Sequence, residues 1–154
     1  MALHVGDDAP QFTLPSSTGG TISLRDLVGR KVALYFYPRD DTSGCTKEAC
    51  GFRDANAELK AAGIEVLGVS ADDLESHHKF AEKFSLPFPL LADTDTTVSS
   101  AYGAYGERPS RGGTVIGVRR MTYLIDEAGK IQKIWPTVQP EGHAAEVLEA
   151  ARAG

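Results

Sequence analysis

The 154-residue sequence has little of several features that mark common protein classes. It has only two cysteines, too few for the disulfide framework of a small secreted scaffold. It has no surplus of basic residues, because 16 Lys and Arg against 21 Asp and Glu leave a net charge of −5, which argues against nucleic acid as a main partner. No apolar run approaches the roughly 20 residues that cross a bilayer. Residues Met1–Pro10 lack the basic-then-apolar pattern of a secretory signal, so a cytoplasmic location is expected.

What is present is an ordinary globular composition, with 42% hydrophobic and 24% charged residues. The length fits one domain by the usual prior of about 100–200 residues, and no repeat or linker divides the chain. We therefore predict a single domain over residues 1–154. In a reducing compartment a cysteine pair is more often catalytic, redox-active or metal-binding than structural, so the surroundings of the two cysteines must decide the function.

Hydrophobic patterns predict strands and helices that alternate along the chain. Strands are predicted at 31–37, 64–69, 86–91, 121–126 and 131–135, after an N-terminal hairpin around residues 16–20. Helices are predicted at 43–62, 74–84, 94–102 and 141–152, and the glycine-rich segment 103–118 is predicted to be a loop. This order predicts an α/β fold of the thioredoxin-like type, in which a mixed central sheet lies between two helical layers.

The strongest functional signal is the segment PRDDTSGCTKEAC, from Pro38 to Cys50, where a buried strand ends and a long helix begins. Sites in open α/β sheets form at the carboxyl ends of strands. If Thr42 is the N-cap, Cys45 lies in the first helical turn, near free backbone N–H groups and the positive end of the helix dipole. Both favour the thiolate, which is the nucleophilic form of cysteine. An ordinary buried cysteine beside a normal cap is the alternative interpretation.

Cys50 follows Cys45 by five positions on the same predicted helix. Such positions are rotated by about 140° and separated by a rise of about 7.5 Å, which keeps the Cα atoms more than roughly 7 Å apart. That separation exceeds what a disulfide tolerates. Either the two cysteines never pair, or the first turns of the helix unwind on oxidation. Gly44 and Gly51 flank the cysteines and lower the helix propensity there, which makes unwinding less costly.

The spacing of Pro38, Thr42 and Cys45 resembles the peroxiredoxin pattern of proline, three residues, threonine, two residues and cysteine. The block GCTKEACGFRD resembles the peroxiredoxin Q branch, also called bacterioferritin comigratory proteins, since its second cysteine follows five residues after the first. The segments GDDAPQFTLPSSTGGTISLRDL, RRMTYLIDEAGKI and PEGHAAEVLEA resemble the family's opening, arginine-bearing segment and closing helix. The resemblance covers nearly the whole chain.

This resemblance implies a thioredoxin-like fold and a thiol-dependent peroxidase. Cys45 would be the nucleophile that attacks hydrogen peroxide or an organic hydroperoxide and becomes a sulfenic acid. Cys50 would then resolve it by closing an intramolecular disulfide, which thioredoxin or a glutaredoxin-type dithiol would reduce. The resemblance further implies a monomer that needs no metal or organic cofactor.

Four further residues take roles by the same resemblance. Pro38 would shield the thiol, and Thr42 would hydrogen-bond the peroxide. Arg120 would stabilise the thiolate and the charge that develops on the peroxide oxygens. Glu48 would help to orient Arg120; alone, its charge one turn from the nucleophile would oppose the thiolate, so a nearby cation is needed. Strand alternation predicts that the neighbouring Arg119 points to the opposite face.

Three alternative functions stay open on the sequence. A disulfide oxidoreductase on the same fold would carry Cys-x-x-Cys, whereas four residues separate this pair. A metal-binding module could use Cys45, Cys50, His77 and His78, but the spacing matches no common zinc pattern. His77 and His78 are instead expected to be solvated, and His143 is expected to belong to the start of the closing helix. A redox sensor or chaperone-like protein on a peroxidase scaffold is the third alternative, which peroxide turnover coupled to thioredoxin would separate from the enzyme.

One further segment has a predicted place at the site. The glycine-rich segment 103–117 is the best candidate for lining the mouth of the pocket. Arg108 and Arg111 within it are expected to be solvated charges.

Overall fold

A five-stranded mixed sheet forms the centre of the protein in the computed structural model, which describes residues 3–110 and 112–153. Arg111 therefore lies outside the described residues. The strands are β1 (Thr13–Pro15), β2 (Thr21–Ser23), β3 (Lys31–Phe36), β4 (Ile64–Ser70), β5 (Leu90–Ala92), β6 (Tyr105–Ser110), β7 (Gly113–Val118), β8 (Met121–Ile125) and β9 (Ile131–Trp135). The helices are α1 (Ser43–Ala61), α2 (Leu74–Phe84), α3 (Thr97–Ala101) and α4 (His143–Ala153).

The central sheet has the strand order β5-β4-β3-β8-β9. β3, β4 and β5 are parallel, whereas β8 runs antiparallel to both β3 and β9. Every residue of β3 is buried, because side chains on both faces of this central strand are covered. The N-terminal strands β1 and β2 form a separate hairpin. The mixed sheet, the flanking helices and this hairpin together confirm the predicted fold class.

Two hydrophobic cores cover the two faces of the sheet. One contains Tyr35 of β3 with Phe52 of α1, Phe80 of α2 and Val147 of α4. The other joins the opposite face of β3 to α3 and to the N-terminal hairpin. The predicted second helical layer is therefore mixed, since a hairpin and the short α3 cover that face together.

The segment 103–118 is a correction, because it forms the antiparallel hairpin β6–β7 and not a loop. Its register pairs Tyr105 with Val118 and continues to the turn, where Gly112 and Gly113 hold φ values of +85° and +144°. Positive φ at the tip suits a hairpin turn. β7 is mostly exposed, so the burial-driven alternation that identifies a strand in a sequence is weak here.

Three other elements begin later in the chain than predicted. The strand predicted at 86–91 is shorter and later, as Pro87 and Pro89 cannot donate to a ladder. The helix predicted from residue 94 begins at Thr97, after Thr96 adopts a left-handed φ of 59°. The closing helix predicted from residue 141 begins at His143, after Gly142 at a φ of +79°.

The helix α1 is the element that positions the predicted site. It begins after Thr42, whose extended backbone (φ −91°, ψ 159°) makes it the N-cap as predicted. Its buried residues, which recur at helical spacing and face the sheet, are Cys45, Glu48, Ala49, Phe52 and Leu59. The start of α1 thus lies at the carboxyl end of β3, with the nucleophile candidate facing the protein interior. Of the helices described, none combines the length and apolar character required to cross a membrane.

Candidate active site

Cys45 is a free thiol in the first turn of α1, and only 1% of the residue is exposed. Its Sγ accepts a hydrogen bond from Nη2 of Arg120 at 3.3 Å. The guanidinium places a full positive charge beside the sulfur. It adds to the positive end of the helix dipole, and both favour the thiolate. The structure thus brings together the two residues that the sequence pairs, although 75 positions separate them.

Arg120 bridges Cys45 and Glu48 with its two terminal nitrogens. While Nη2 faces the sulfur, Nη1 donates to Oε1 of Glu48 at 2.8 Å. Burial acts against the charged guanidinium, but Cys45 and Glu48 outweigh it and raise the pKa of Arg120 above its ordinary value. The cation that the sequence required beside Glu48 is therefore present.

Gly44 makes room for this arrangement. A Cβ atom built at this position would lie 2.9 Å from Nη2 of Arg120, closer than real contacts allow. The sequence suggested only that Gly44 lowers helix propensity, and the close approach of an arginine was not foreseen. A glycine one position before a helical cysteine is the signal that could have indicated it.

Glu48 is the buried carboxyl of the site, and its side chain has no exposure to solvent. Burial raises its pKa from 4.5 to about 7, although the positive charge and hydrogen bond of Arg120 act in the opposite direction. Its second oxygen, Oε2, is buried and has no hydrogen-bond partner among the described residues. That oxygen is free to carry the proton at lower pH.

Replacing Glu48 with glutamine is expected to flatten the pH dependence of stability. Between about pH 4.5 and 7 the unfolded chain has lost a proton that folded Glu48 keeps, so the free energy of unfolding falls as the pH rises. The loss is up to about 3 kcal/mol. Urea unfolding of the reduced protein at pH 5 and pH 8 measures it. The control is Glu149→Gln, on the exposed side of α4. A Glu48→Gln variant with the wild-type pH dependence would contradict this.

Thr42 lies on the exposed side of the site. Its hydroxyl donates to the backbone carbonyl of Arg39 at 3.1 Å and makes no capping bond to α1. With its proton used in this bond, the Thr42 oxygen has only lone pairs left for a further partner.

Pro38 and Arg120 line a cavity of about 520 Å³. The rest of its wall comes from the hairpin β6–β7 and from residues 136–138. The prediction that the glycine-rich segment lines the mouth of the site therefore agrees with the structure, although the segment is a hairpin. Arg108 differs from expectation, because its Nε is buried and has no partner among the described residues.

Arg119 also forms part of the wall of this cavity, but its guanidinium points away from Cys45, as predicted. It lies with Arg120 in the connection between β7 and β8, and the two neighbouring side chains turn to different sides. Its guanidinium donates to the carbonyl of Gly103, whereas that of Arg120 turns to Cys45. Only the second arginine contacts the thiol.

Cys50 is half-buried and carries a free thiol, five positions after Cys45 in the uninterrupted helix α1. The helical geometry predicted from the sequence is therefore present. A disulfide between them requires that part of α1 unwind.

His77 contradicts the expectation of solvation, whereas His143 begins the closing helix α4 as predicted. His77 is fully buried, with Nδ1 2.7 Å from Oδ2 of Asp40 and Nε2 2.9 Å from the carbonyl of Leu91. It lies three residues before buried Phe80, and that spacing on α2 was the missed signal. His143 is 1% exposed; burial lowers its pKa, reinforced by Arg120 and opposed by Glu146.

The metal-binding alternative finds no support in the described part of the chain. There, the only group of His, Cys, Asp and Glu side chains close enough to hold an ion is Asp40, Asp72 and His77. Neither Cys45 nor Cys50 belongs to it. Hydrogen bonds within the protein already account for the contacts of this cluster.

Cys45 is a buried thiol at the start of a helix on a thioredoxin-like sheet, and it accepts a hydrogen bond from Arg120. This combination is typical of thiol-dependent peroxidases. The AhpC/TSA family matches residues 5–134, which is most of the chain. The chain belongs to this family, in the peroxiredoxin Q or Bcp branch, and it is a thiol-dependent peroxidase.

Relatives in sequence and structure agree. The bcp protein of Coxiella burnetii, named as a peroxiredoxin, is 51% identical over 148 residues, which cover 96% of this chain and 98% of the relative. A cysteine-to-serine mutant of PrxQ from Xylella fastidiosa superposes with a TM-score of 0.92 at 32% identity, covering 99% and 98% of the two chains. The bacterioferritin comigratory protein of Xanthomonas campestris superposes at 0.86 and 36% identity, covering 92% and 90%.

Proposed function

We propose that Cys45 is the peroxidatic nucleophile and that Cys50 resolves its sulfenic acid through an intramolecular disulfide. The observation that carries the first assignment is the hydrogen bond from Arg120 to the Cys45 sulfur at 3.3 Å. Family membership supports the assignment, since the proline, threonine and cysteine spacing is the peroxiredoxin pattern. The second assignment depends on the position of Cys50 one and a half turns along the same helix.

In the first step, the Cys45 thiolate attacks the terminal oxygen of the hydroperoxide. An S–O bond forms, the O–O bond breaks, and the departing oxygen takes a proton and leaves as water or an alcohol. Cys45 is thereby oxidised to the sulfenic acid. Arg120 stabilises the charge on the oxygens, Thr42 accepts a hydrogen bond from the peroxide, and Pro38 shields the thiol. Glu48 acts through Arg120, which it holds in position beside the sulfur.

In the second step, the start of α1 unwinds and the Cys50 thiolate attacks the Cys45 sulfenic sulfur. An S–S bond forms, the S–O bond breaks, and the departing hydroxide takes up the proton that the Cys50 thiol released, leaving as water. An external dithiol, thioredoxin or a glutaredoxin-type protein, then reduces the disulfide. The helix rewinds and returns Cys45 to Arg120. No metal or organic cofactor takes part in the proposed cycle.

Replacing Gly51 with alanine is expected to slow disulfide formation by about fivefold. A Cβ atom here meets no other atom within 4 Å, so the change adds helix propensity without a clash. Alanine favours the helix over glycine by about 1 kcal/mol, which raises the cost of unwinding. Rapid quenching after one equivalent of peroxide, with mass spectrometry of the disulfide, measures the rate. Unchanged kinetics in a folded variant would show that unwinding does not reach this residue.

We further infer that the substrates include organic hydroperoxides beside hydrogen peroxide. The cavity of about 520 Å³ next to Pro38 and Arg120 is much larger than hydrogen peroxide needs. An alkyl peroxide reduction activity is described for the bacterioferritin comigratory protein of Xanthomonas campestris, which shares this fold. We also propose that residues 1–154 form one domain that acts as a monomer in the cytoplasm.

Consumption of peroxide coupled to a thioredoxin system tests this function. The expected result is continuous turnover of hydrogen peroxide and of an alkyl hydroperoxide at the expense of reduced thioredoxin. A single oxidation of Cys45 without recycling by any dithiol would instead support the redox sensor. Dependence on added metal would contradict the cofactor-free cycle.

A further inference from the structure

Asp40 fastens the loop between β3 and α1 to the helix α2. Only 8% of this residue is exposed, and its carboxylate accepts three hydrogen bonds. The donors are the hydroxyl of Tyr37 at 2.6 Å, the hydroxyl of Ser76 at 2.8 Å and Nδ1 of His77 at 2.7 Å. The Asp40 backbone N–H also donates to the carboxylate of Asp72 at 2.8 Å. The sequence suggested none of these contacts.

His77 presents both ring nitrogens to acceptors. One faces the Asp40 carboxylate and the other faces the backbone carbonyl of Leu91, at 2.9 Å. A neutral imidazole has a single N–H, and a carbonyl can only accept. Nε2 therefore donates to the Leu91 carbonyl, and both ring nitrogens have a hydrogen-bond partner inside the protein. Because His77 is fully buried, separating this pair leaves polar groups without partners and is costly.

Asp41, the next residue of the loop, holds a left-handed backbone with a φ of +58°. That conformation is costly for most residues with a side chain and less so for aspartate, which adopts it as a single residue where its surroundings favour it. Asp41 follows Asp40 directly, and its own carboxylate forms an ion pair with Lys83, with Oδ2 2.9 Å from Nζ. The backbone of Asp41 is therefore held by contacts on both sides. This residue is four positions before Cys45 and directly precedes the N-cap of the helix that must unwind. Release of Asp40 would let Asp41 relax.

We propose that the Asp40–His77 pair is a clasp that positions the active-site loop and restrains the unwinding of α1. It thereby sets how long the Cys45 sulfenic acid persists before Cys50 attacks. The inference rests on the proposed Cys45–Cys50 cycle. Neither clasp residue touches the reacting atoms, so both are positioning residues. While the Asp40–His77 hydrogen bond is intact, the loop is held in place for attack on the peroxide. When this bond is broken, α1 can unwind and the disulfide forms more readily.

The experiment compares Asp40→Ala with Asp40→Asn in the full chain. Each reduced protein receives one equivalent of hydrogen peroxide, and quenched samples give the rates of peroxide loss and disulfide formation. In Asp40→Ala, disulfide formation is expected to accelerate about tenfold, while attack on the peroxide slows. In Asp40→Asn the amide N–H can donate to a neutral His77 and the amide oxygen can accept from Tyr37. We expect this conservative variant to restore both rates to within about twofold of the wild type.

The control for a general loss of stability is Val98→Ala, which opens a cavity in the core on the other face of the sheet. It is expected to leave the rate of disulfide formation unchanged. If Asp40→Ala does not fold, Ser76→Ala removes a single bond to Asp40 and is expected to accelerate the step about threefold.

The outcomes separate the clasp from the cycle on which it rests. Wild-type protein that forms no Cys45–Cys50 disulfide would overturn both. If the wild type forms the disulfide and a folded Asp40→Ala variant matches its rate, the clasp alone is overturned. Equal acceleration by Val98→Ala would also overturn the clasp, because the effect would then follow from stability.

Discussion

Cys45→Ser is expected to abolish peroxide turnover while the protein stays folded. A serine hydroxyl is not ionised near neutral pH and does not form a sulfenic acid, so both the nucleophile and the intermediate are lost. The rate constant for peroxide consumption should fall by at least about 10³-fold. The fold should tolerate the change, because serine is close in size and its oxygen can still accept the hydrogen bond that Arg120 gives to the sulfur.

Single-turnover peroxide loss and circular dichroism together check this prediction. The matched control is Cys50→Ser, which removes the other thiol of the chain and should still consume one equivalent of peroxide. Cys45→Ser should consume none. If the two variants behaved the other way round, the roles of the cysteines would be reversed. If Cys45→Ser retained turnover, neither the site nor the cycle described for α1 would stand.

Arg120→Met is expected to slow attack on the peroxide by about 10²- to 10³-fold. Methionine keeps much of the apolar stem but removes the charge that faces both the sulfur and the developing oxyanion. It also leaves Glu48 buried without its cation, so Glu48 should take up a proton and its pKa should rise above about 7. The second-order rate constant for peroxide, measured by single-turnover kinetics, is the quantity to compare.

Arg119→Met is the matched control for this prediction. Arg119 precedes Arg120 and lines the same cavity, but its guanidinium contacts the carbonyl of Gly103 and not the thiol. We expect less than about a fivefold change in the rate constant. The double variant Arg120→Met, Glu48→Gln removes the unpaired carboxyl and tests whether any loss in the single variant reflects folding. Comparable losses in the Arg119 and Arg120 variants would contradict a specific role for Arg120.

The elements that carry the nucleophile were predictable because their signals are local. The apolar run of β3, the cap at Thr42 and the apolar spacing of α1 are all readable within about ten residues of each position. Placing Arg120 beside Cys45 required the family resemblance, since nothing local joins residues 75 positions apart. The structure then showed that the guanidinium of Arg120 donates hydrogen bonds to both the Cys45 sulfur and the Glu48 carboxylate.

The features that the sequence did not predict depend on contacts between distant segments. His77 lies between polar neighbours on α2, and its partner Asp40 comes 37 residues earlier in the chain. The hairpin β6–β7 shows little burial on its second strand, so its pairing is visible in the backbone and not in the hydrophobic pattern. The room that Gly44 leaves for the Arg120 guanidinium is likewise visible only in the folded protein.

The measurement that tests the central claim most directly is mass spectrometry after one equivalent of hydrogen peroxide. In the wild type, the claim predicts one intramolecular disulfide between Cys45 and Cys50. In Cys50→Ser, it predicts a sulfenic acid on Cys45 that a dimedone-type reagent traps. Such a disulfide would also show that the start of α1 unwinds, since the intact helix holds the two residues too far apart. Trapped sulfenic acid on Cys50, or an oxidised wild type without the disulfide, would contradict the claim.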